Sequence, residues 1–304
     1  MKVYVSNFNG IFNHLIDFLK LKGDYAPVWI DADVLLLWQD VIGDAPEIAR
    51  QAMGLGKRVY VAEHGLLSIN DYIPPLSRPL VAHKFLAWGE RTKRWLVELG
   101  KISPERIEIV GTTILDDFKP KKLHIGKNII FAPRHWDREL DENMEIANEL
   151  KKLDGKDGIT VHSKIIEGEH DPINYPNPIF SNRFSGDHLY QCWKALSTAD
   201  LVVSLGEGTF AMLAYYLDIP VISGNRWDTK HLLGKDYDSA EFFSQVSGAC
   251  SIVPISRLNN QVLKELEHPE INRDERRKFL IDSVDYESEE PAIQKILQVI
   301  YGST

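Results

Sequence analysis

Short apolar runs alternate with helical periodicity along nearly the whole chain. Residues 2–5, 28–30, 34–38, 58–62, 85–88 and 107–110 are brief and apolar, which predicts buried strands, and pieces between them such as 45–55 and 91–99 predict helices. A second series follows, with strands expected at 128–132, 159–162, 201–204 and 221–222. Residues 168–183 are rich in Asn, Pro and Asp and read as a loop before a helix carrying Tyr190 and Trp193. Strand–helix alternation predicts parallel sheets covered on both faces, with ligands at the carboxyl ends of the strands. Between the two series, DDFKPKKLHIGK at 116–127 loses apolar periodicity and gathers proline, glycine and lysine, as a linker does. The expected domains are residues 1–118 and 127–304. Helical patterning from 257 onward closes the chain, and such a tail can cross back to tie two halves together.

The sharpest local signal is residues 197–224, STADLVVSLGEGTFAMLAYYLDIPVISG. An apolar run ends at Ser204, the turn Gly206-Glu207-Gly208-Thr209 breaks the period, and a helical stretch runs to Asp218 before the next strand opens at Pro220. A turn of this kind leaves the first helical N–H groups unpaired. With the helix dipole they make a seat for a phosphate. The plainer alternative is a strand-to-helix connection that uses glycine for its backbone angles and Thr209 as a cap.

Composition narrows the setting. The chain has 304 residues, 44% of them hydrophobic, enough for two cores. Two cysteines, Cys192 and Cys250, offer neither a disulfide framework nor metal-ligand spacing, and read as buried thiols in a reducing cytoplasm. No metal site is expected. The first residues turn polar too soon for a signal peptide, and no run approaches the ~20 apolar residues of a spanning helix. A net charge of −9 argues against general affinity for nucleic acid, although 78–138 is locally basic, so a nucleic-acid acceptor is a minor expectation.

Several segments together resemble a known group. DVLLLWQD ending at Asp40, VYVAEHGLL carrying Glu63 and His64, RIEIVGTTILDDF, FAPRHWDRELDEN and ADLVVSLGEGT follow one another in order. Over residues 33–227 the chain resembles the two-Rossmann-domain (GT-B) glycosyltransferases and their relatives, the UDP-N-acetylglucosamine 2-epimerases and CDP-glycerol glycerophosphotransferases. The resemblance implies an α/β protein of two tandem Rossmann-like, doubly wound domains with a cleft between them. It places Asp40 and Glu63 where the epimerases carry acidic residues, and Arg134 and His135 near their His-Arg pair. Leu67 stands where the epimerases hold an arginine, and PPLSRP around Pro75 where they hold an acidic pair. The acid/base set for epimerisation is therefore incomplete, and Glu63-His64-Gly65 is closer to the His-Gly pair of the transferases.

These observations yield one expectation about function. The chain is expected to be a glycosyltransferase that moves a sugar from a nucleotide-sugar donor, a UDP-sugar before others, to a hydroxyl acceptor. No further cofactor is expected. His64 is the expected base, since an imidazole with an ordinary pKa of about 6.5 can take a hydroxyl proton near neutrality. Glu63 or Asp40 would back it. Arg134, His135, His162, Ser204, Gly206, Glu207, Gly208 and Thr209 would hold the donor, arginine suiting a diphosphate by its paired N–H groups. A surface ion pair of Arg134 with Asp137 or Glu139 is the plainer alternative. The competing functions are a 2-epimerase-like enzyme, glycerol-phosphate transfer from CDP-glycerol, and a nucleotide-sugar-binding module without turnover.

Overall fold

The computed structural model describes residues 1–6, 11–39, 44–65, 80–117, 126–133, 140–166, 171–181, 188–205, 208–225 and 248–302. The chain divides into two compact units, Met1–Lys119 with Ile281–Thr304, and Pro120–Leu280.

The first unit is built on a parallel sheet of β1 (Val3–Val5), β2 (Val34–Leu37), β3 (Arg58–Ala62), β4 (Lys84–Ala87) and β5 (Ile107–Ile109), side by side in that order. All four residues of β2 are buried, and because side chains alternate across a strand, both faces of the sheet are covered. On one face Leu35, Leu37, Val59, Val61, Phe85 and Ala87 pack against Ala49 and Ala52 of α2 (Ala45–Gly54) and Leu96 of α3 (Glu90–Glu98). Helix α1 (Asn13–Leu21) and the short α4 (Thr113–Asp117) belong to the amino-terminal part of the same unit.

The second unit carries a six-stranded parallel sheet. Its strands are β6 (Asn128–Ala132), β7 (Thr160–Ile166), β8 (Pro178–Ser181), β9 (Leu201–Ser204), β10 (Val221–Asn225) and β11 (Ser251–Pro254), in the spatial order β11-β10-β9-β6-β7-β8. From β6 the chain proceeds outward through β7 to β8, then returns to β6's other side and proceeds through β9 and β10 to β11. The strand order therefore reverses between β6 and β9. One face holds the core of Ile129, Phe131, Val161, Ile165, Leu201 and Val203 with α5 (Leu140–Lys151) and α8 (Leu258–Glu267). The remaining helices of this unit's sheet region are α6 (His188–Leu196) and α7 (Thr209–Tyr216).

Three expectations need correction. Residues 28–30 are not a strand: Trp29–Asp31 is a 3-10 turn, with Val28 and Ile30 about half exposed, because a three-residue apolar run carries no usable period. The stretch 168–183 is not all loop, since its last part forms β8, a half-exposed edge strand whose polar surroundings hide it in the sequence. The carboxy-terminal residues also divide differently. After α8 come α9 (Arg273–Val284) and α10 (Ala292–Tyr301), and residues 281–304 belong to the first unit rather than the second. The cause is local and specific: Asp116 of α4 accepts hydrogen bonds from the N–H groups of Ala292 and Ile293 at 3.0 and 2.9 Å, capping α10, while Ile296 and Ile300 are buried.

Among the described residues no helix is long and apolar enough to cross a membrane.

Candidate active site

At the reversal of strand order two neighbouring parallel strands send their connections to opposite sides, which opens a crevice beyond their carboxyl ends. In the second unit these strands are β6 and β9, paired so that Ala132 stands opposite Ser204. In the sequence residues 206–209 come after β9, and Arg134 and His135 after β6. Arg134, His135, Gly206 and Glu207 lie outside the described residues.

Ser204 is buried at the last residue of β9. Gly208 is extended, at φ −129° and ψ −169°, and is the cap residue of α7, so Thr209 is the first helical residue rather than the cap. Gly208 accepts the first intrahelical bond from Met212 N–H, and as a glycine it brings no side chain to the cap. A Cβ added at Gly208 would meet nothing within 4 Å. Gly208 therefore leaves room beside the start of α7.

His162 and Ser204 share the sheet face opposite the α5/α8 core, because Val161 and Ile165 in β7 and Leu201 and Val203 in β9 are the residues that enter that core. His162 pairs with Ile130, two residues before the end of β6, and so lies roughly 7 Å short of the row that holds Ser204. Lys164 is at the right depth. Since Ser163 pairs with Phe131, Lys164 stands level with Ala132 and, across β6, with Ser204. Its ammonium lies 5.5 Å from the ring centre of Phe210, the second residue of α7.

In the first unit, Glu63 and His64 follow directly on β3. Continued strand alternation sends neighbours to opposite sides. Glu63 turns toward α3: it is 1% exposed, its Oε2 accepts from Trp88 N–H at 2.7 Å, and its Oε1 accepts from the Thr92 hydroxyl at 3.0 Å. That makes it the anchor of the turn between β4 and α3. His64 is partly buried, with its ring 4.7 Å from that of Trp38 in an edge-to-face contact. It is also hydrogen-bonded to the Trp38 backbone carbonyl. Burial pushes the His64 imidazole down to about 4 from its ordinary 6.5, with the Trp38 carbonyl pulling weakly the other way. His64 is therefore neutral at physiological pH. One ring N–H donates to Trp38, which leaves the other nitrogen as the basic one. Asp40 lies outside the described residues.

The basic helix α3 is engaged within its own unit. Arg94 holds Asp282 through two bonds of 2.7 and 2.6 Å, and Arg91 stacks 4.4 Å from the Trp95 ring centre.

No family model and no curated protein sequence matches the chain. Solved structures do. A variant of the wall teichoic acid polymerase TagF soaked with CDPG aligns with a TM-score of 0.63 at 10% sequence identity, over 99% of this chain and 88% of that one. UDP-GlcNAc 2-epimerase from Neisseria meningitidis, bound to UDP-GlcNAc, gives 0.57 at 13% identity over 96% and 80%. MnaA from S. aureus, solved with UDP, gives 0.54 at 16% identity over 97% and 79%. This chain has the GT-B fold.

Within this GT-B chain the nominated residues sort into clear groups. Ser204, Gly208 and Thr209 gather at one edge of the second sheet, with His162 deeper on the same face. Glu63 and His64 are adjacent in sequence yet serve different neighbours. Sequence reasoning passed over the Trp38 carbonyl as the group that orients His64, since a backbone acceptor has no side-chain signature. It noted Lys164 only as a neighbour of His162, because the level of each residue in the sheet depends on register.

Proposed function

We infer that the protein is a GT-B enzyme that transfers a sugar from a nucleotide-sugar donor, a UDP-sugar before others, to a hydroxyl acceptor. The observation that supports this reading is the reversal at β6 and β9, strands that Arg134-His135 and Gly206-Glu207-Gly208-Thr209 follow in the sequence. In the reaction the bond between the sugar carbon and the donor diphosphate breaks, a bond from the acceptor oxygen forms, and the acceptor proton passes to His64. Charge develops on the departing nucleoside diphosphate. Fixed N–H dipoles at the start of α7, with Arg134, stabilise that charge more in the transition state than in the ground state. His64 is present as the neutral imidazole, held in one tautomer by the Trp38 carbonyl, and since burial makes it a weaker base than an ordinary imidazole it takes the proton only as the acceptor oxygen bonds to the sugar carbon. Glu63 acts on His64 only by fixing the backbone around it.

The likeness to UDP-binding and UDP-GlcNAc-binding proteins supports uridine as the base. The likeness to TagF soaked with CDPG supports a second reading, transfer of glycerol phosphate from CDP-glycerol. A thermal-shift series with UDP, UDP-N-acetylglucosamine, CDP and CDP-glycerol separates them, since a ligand of the folded state raises the unfolding midpoint by mass action. Uridine compounds are expected to protect, and UDP release from the protected donor should require an added acceptor. UDP or a new sugar formed from UDP-N-acetylglucosamine alone would favour a hydrolysing or epimerising enzyme. No protection by any of the four at millimolar concentration would end the nucleotide-sugar reading.

A further inference from the structure

Lys164 has an unusual position for a lysine. It is partly buried on β7, and the contacts it makes are with the π-face of Phe210 and the sulfur of Cys192, to which its ammonium donates a hydrogen bond. Cys192 is 4% exposed on α6, with the His188 imidazole 3.7 Å from its sulfur. Burial pushes the Cys192 thiol up, so at neutral pH it is no thiolate and supplies no negative charge to the lysine. Among the described residues no carboxylate pairs with Lys164. An ammonium held between uncharged groups is free to make a charge-assisted bond to an anion that reaches it. The place matters as much as the pairing. Lys164 stands level with Ser204 and roughly 10 Å across the sheet from it, beside the first turn of α7 and at the carboxyl edge where the strand order reverses.

We propose that Lys164 is an anion ligand and holds a phosphate oxygen of the nucleotide donor, an assignment that rests on the nucleotide-sugar reading above. His162, which the sequence put forward for this part, is one row too deep. The ring of Phe210 and the sulfur of Cys192 form a soft, uncharged cradle. They keep the ammonium in place without neutralising it, so the charge is available to the ligand.

The test compares the wild-type chain with Lys164→Met and Lys164→Arg in thermal titrations with inorganic pyrophosphate, UDP and uridine. Methionine keeps the length and packs on Phe210 and Cys192 without the charge. Its ligand-free midpoint is expected to stay close to that of the wild type, because methionine keeps the packing on Phe210 and Cys192. Its apparent Kd for pyrophosphate and UDP should rise about tenfold or more, in line with the loss of one charge-assisted bond, while uridine binding is unchanged. Arginine should restore most of the pyrophosphate affinity. A Met variant that binds both phosphates within about twofold of wild type overturns the assignment and leaves the nucleotide-sugar reading standing. A ligand-free midpoint several degrees below wild type also overturns it, by making the lysine structural. Wild-type protein that binds neither UDP nor pyrophosphate overturns both.

Discussion

Glu63 provides the most direct test of how the first unit is wired, because a catalytic role and an anchoring role predict opposite results for one pair of variants. Its carboxylate is buried and accepts two hydrogen bonds, from Trp88 N–H at 2.7 Å and from Thr92 Oγ1 at 3.0 Å. Both donors are themselves buried, at 2% and 4% exposure. Glu63→Ala leaves them without that acceptor, at about 1–3 kcal/mol each, and relief of the buried carboxylate's own desolvation offsets part of the loss. The expected net destabilisation is ~3 kcal/mol. Glu63→Gln has the same shape: its amide oxygen accepts from Trp88, and its NH2 donates to the Thr92 hydroxyl, which rotates to receive it. The cost falls to about 1 kcal/mol, the loss of charge assistance. Urea unfolding followed by circular dichroism reads both values, and UDP titration with turnover on the best donor and acceptor reads function. An anchor predicts that Glu63→Gln remains folded, binds UDP normally and turns over within a few-fold of wild type. Glu63→Gln with wild-type stability but turnover lost by a factor of a hundred would refute the reasoning, as would Glu63→Ala as stable as wild type.

Three further outcomes follow from the same geometry. A Cβ at Gly89 would lie 2.4 Å from the Asp282 carbonyl oxygen and 2.5 Å from the Ser283 carbonyl carbon, both backbone atoms, so Gly89→Ala should cost about 1–3 kcal/mol and raise hydrogen exchange in the last turn of α9. Asp116→Ala removes the cap of α10 and should cost about 1 kcal/mol, seen as faster exchange of the Ala292 and Ile293 amides. His64 is held at about 4 in the folded chain against 6.5 when unfolded, so the unfolded state binds the extra proton first as pH falls. Stability should therefore drop by ~3 kcal/mol between about pH 6.5 and 4, and His64→Gln should flatten that part of the curve in urea titrations at stepped pH. On the functional side, His64→Ala should lower turnover about a hundredfold or more with UDP affinity unchanged.

The strands that the apolar pattern reveals best are those buried on both faces. β6 and β9 have the bounds expected of them, since parallel strands with both faces covered leave continuous Val, Ile, Leu and Phe runs. The edge strands of the second sheet leave a weaker record: two of the four residues of β8 are exposed and none of the four of β11 is fully buried, whereas β1 and β5 at the edges of the first sheet carry apolar runs that are read directly.

By itself the sequence determined the α/β alternation, the positions of the central strands and the histidine after β3, all of which depend on side chains close together in the chain. Only the tertiary structure decided which strands neighbour one another. The reversal at β6 and β9, the level of Lys164 beside Ser204, and the division of partners between Glu63 and His64 are matters of order and register across the sheets. The same holds for the return of α10 to the first unit. An amphipathic helix states that one face must be covered, and only a distant partner, here the Asp116 carboxylate, decides by what.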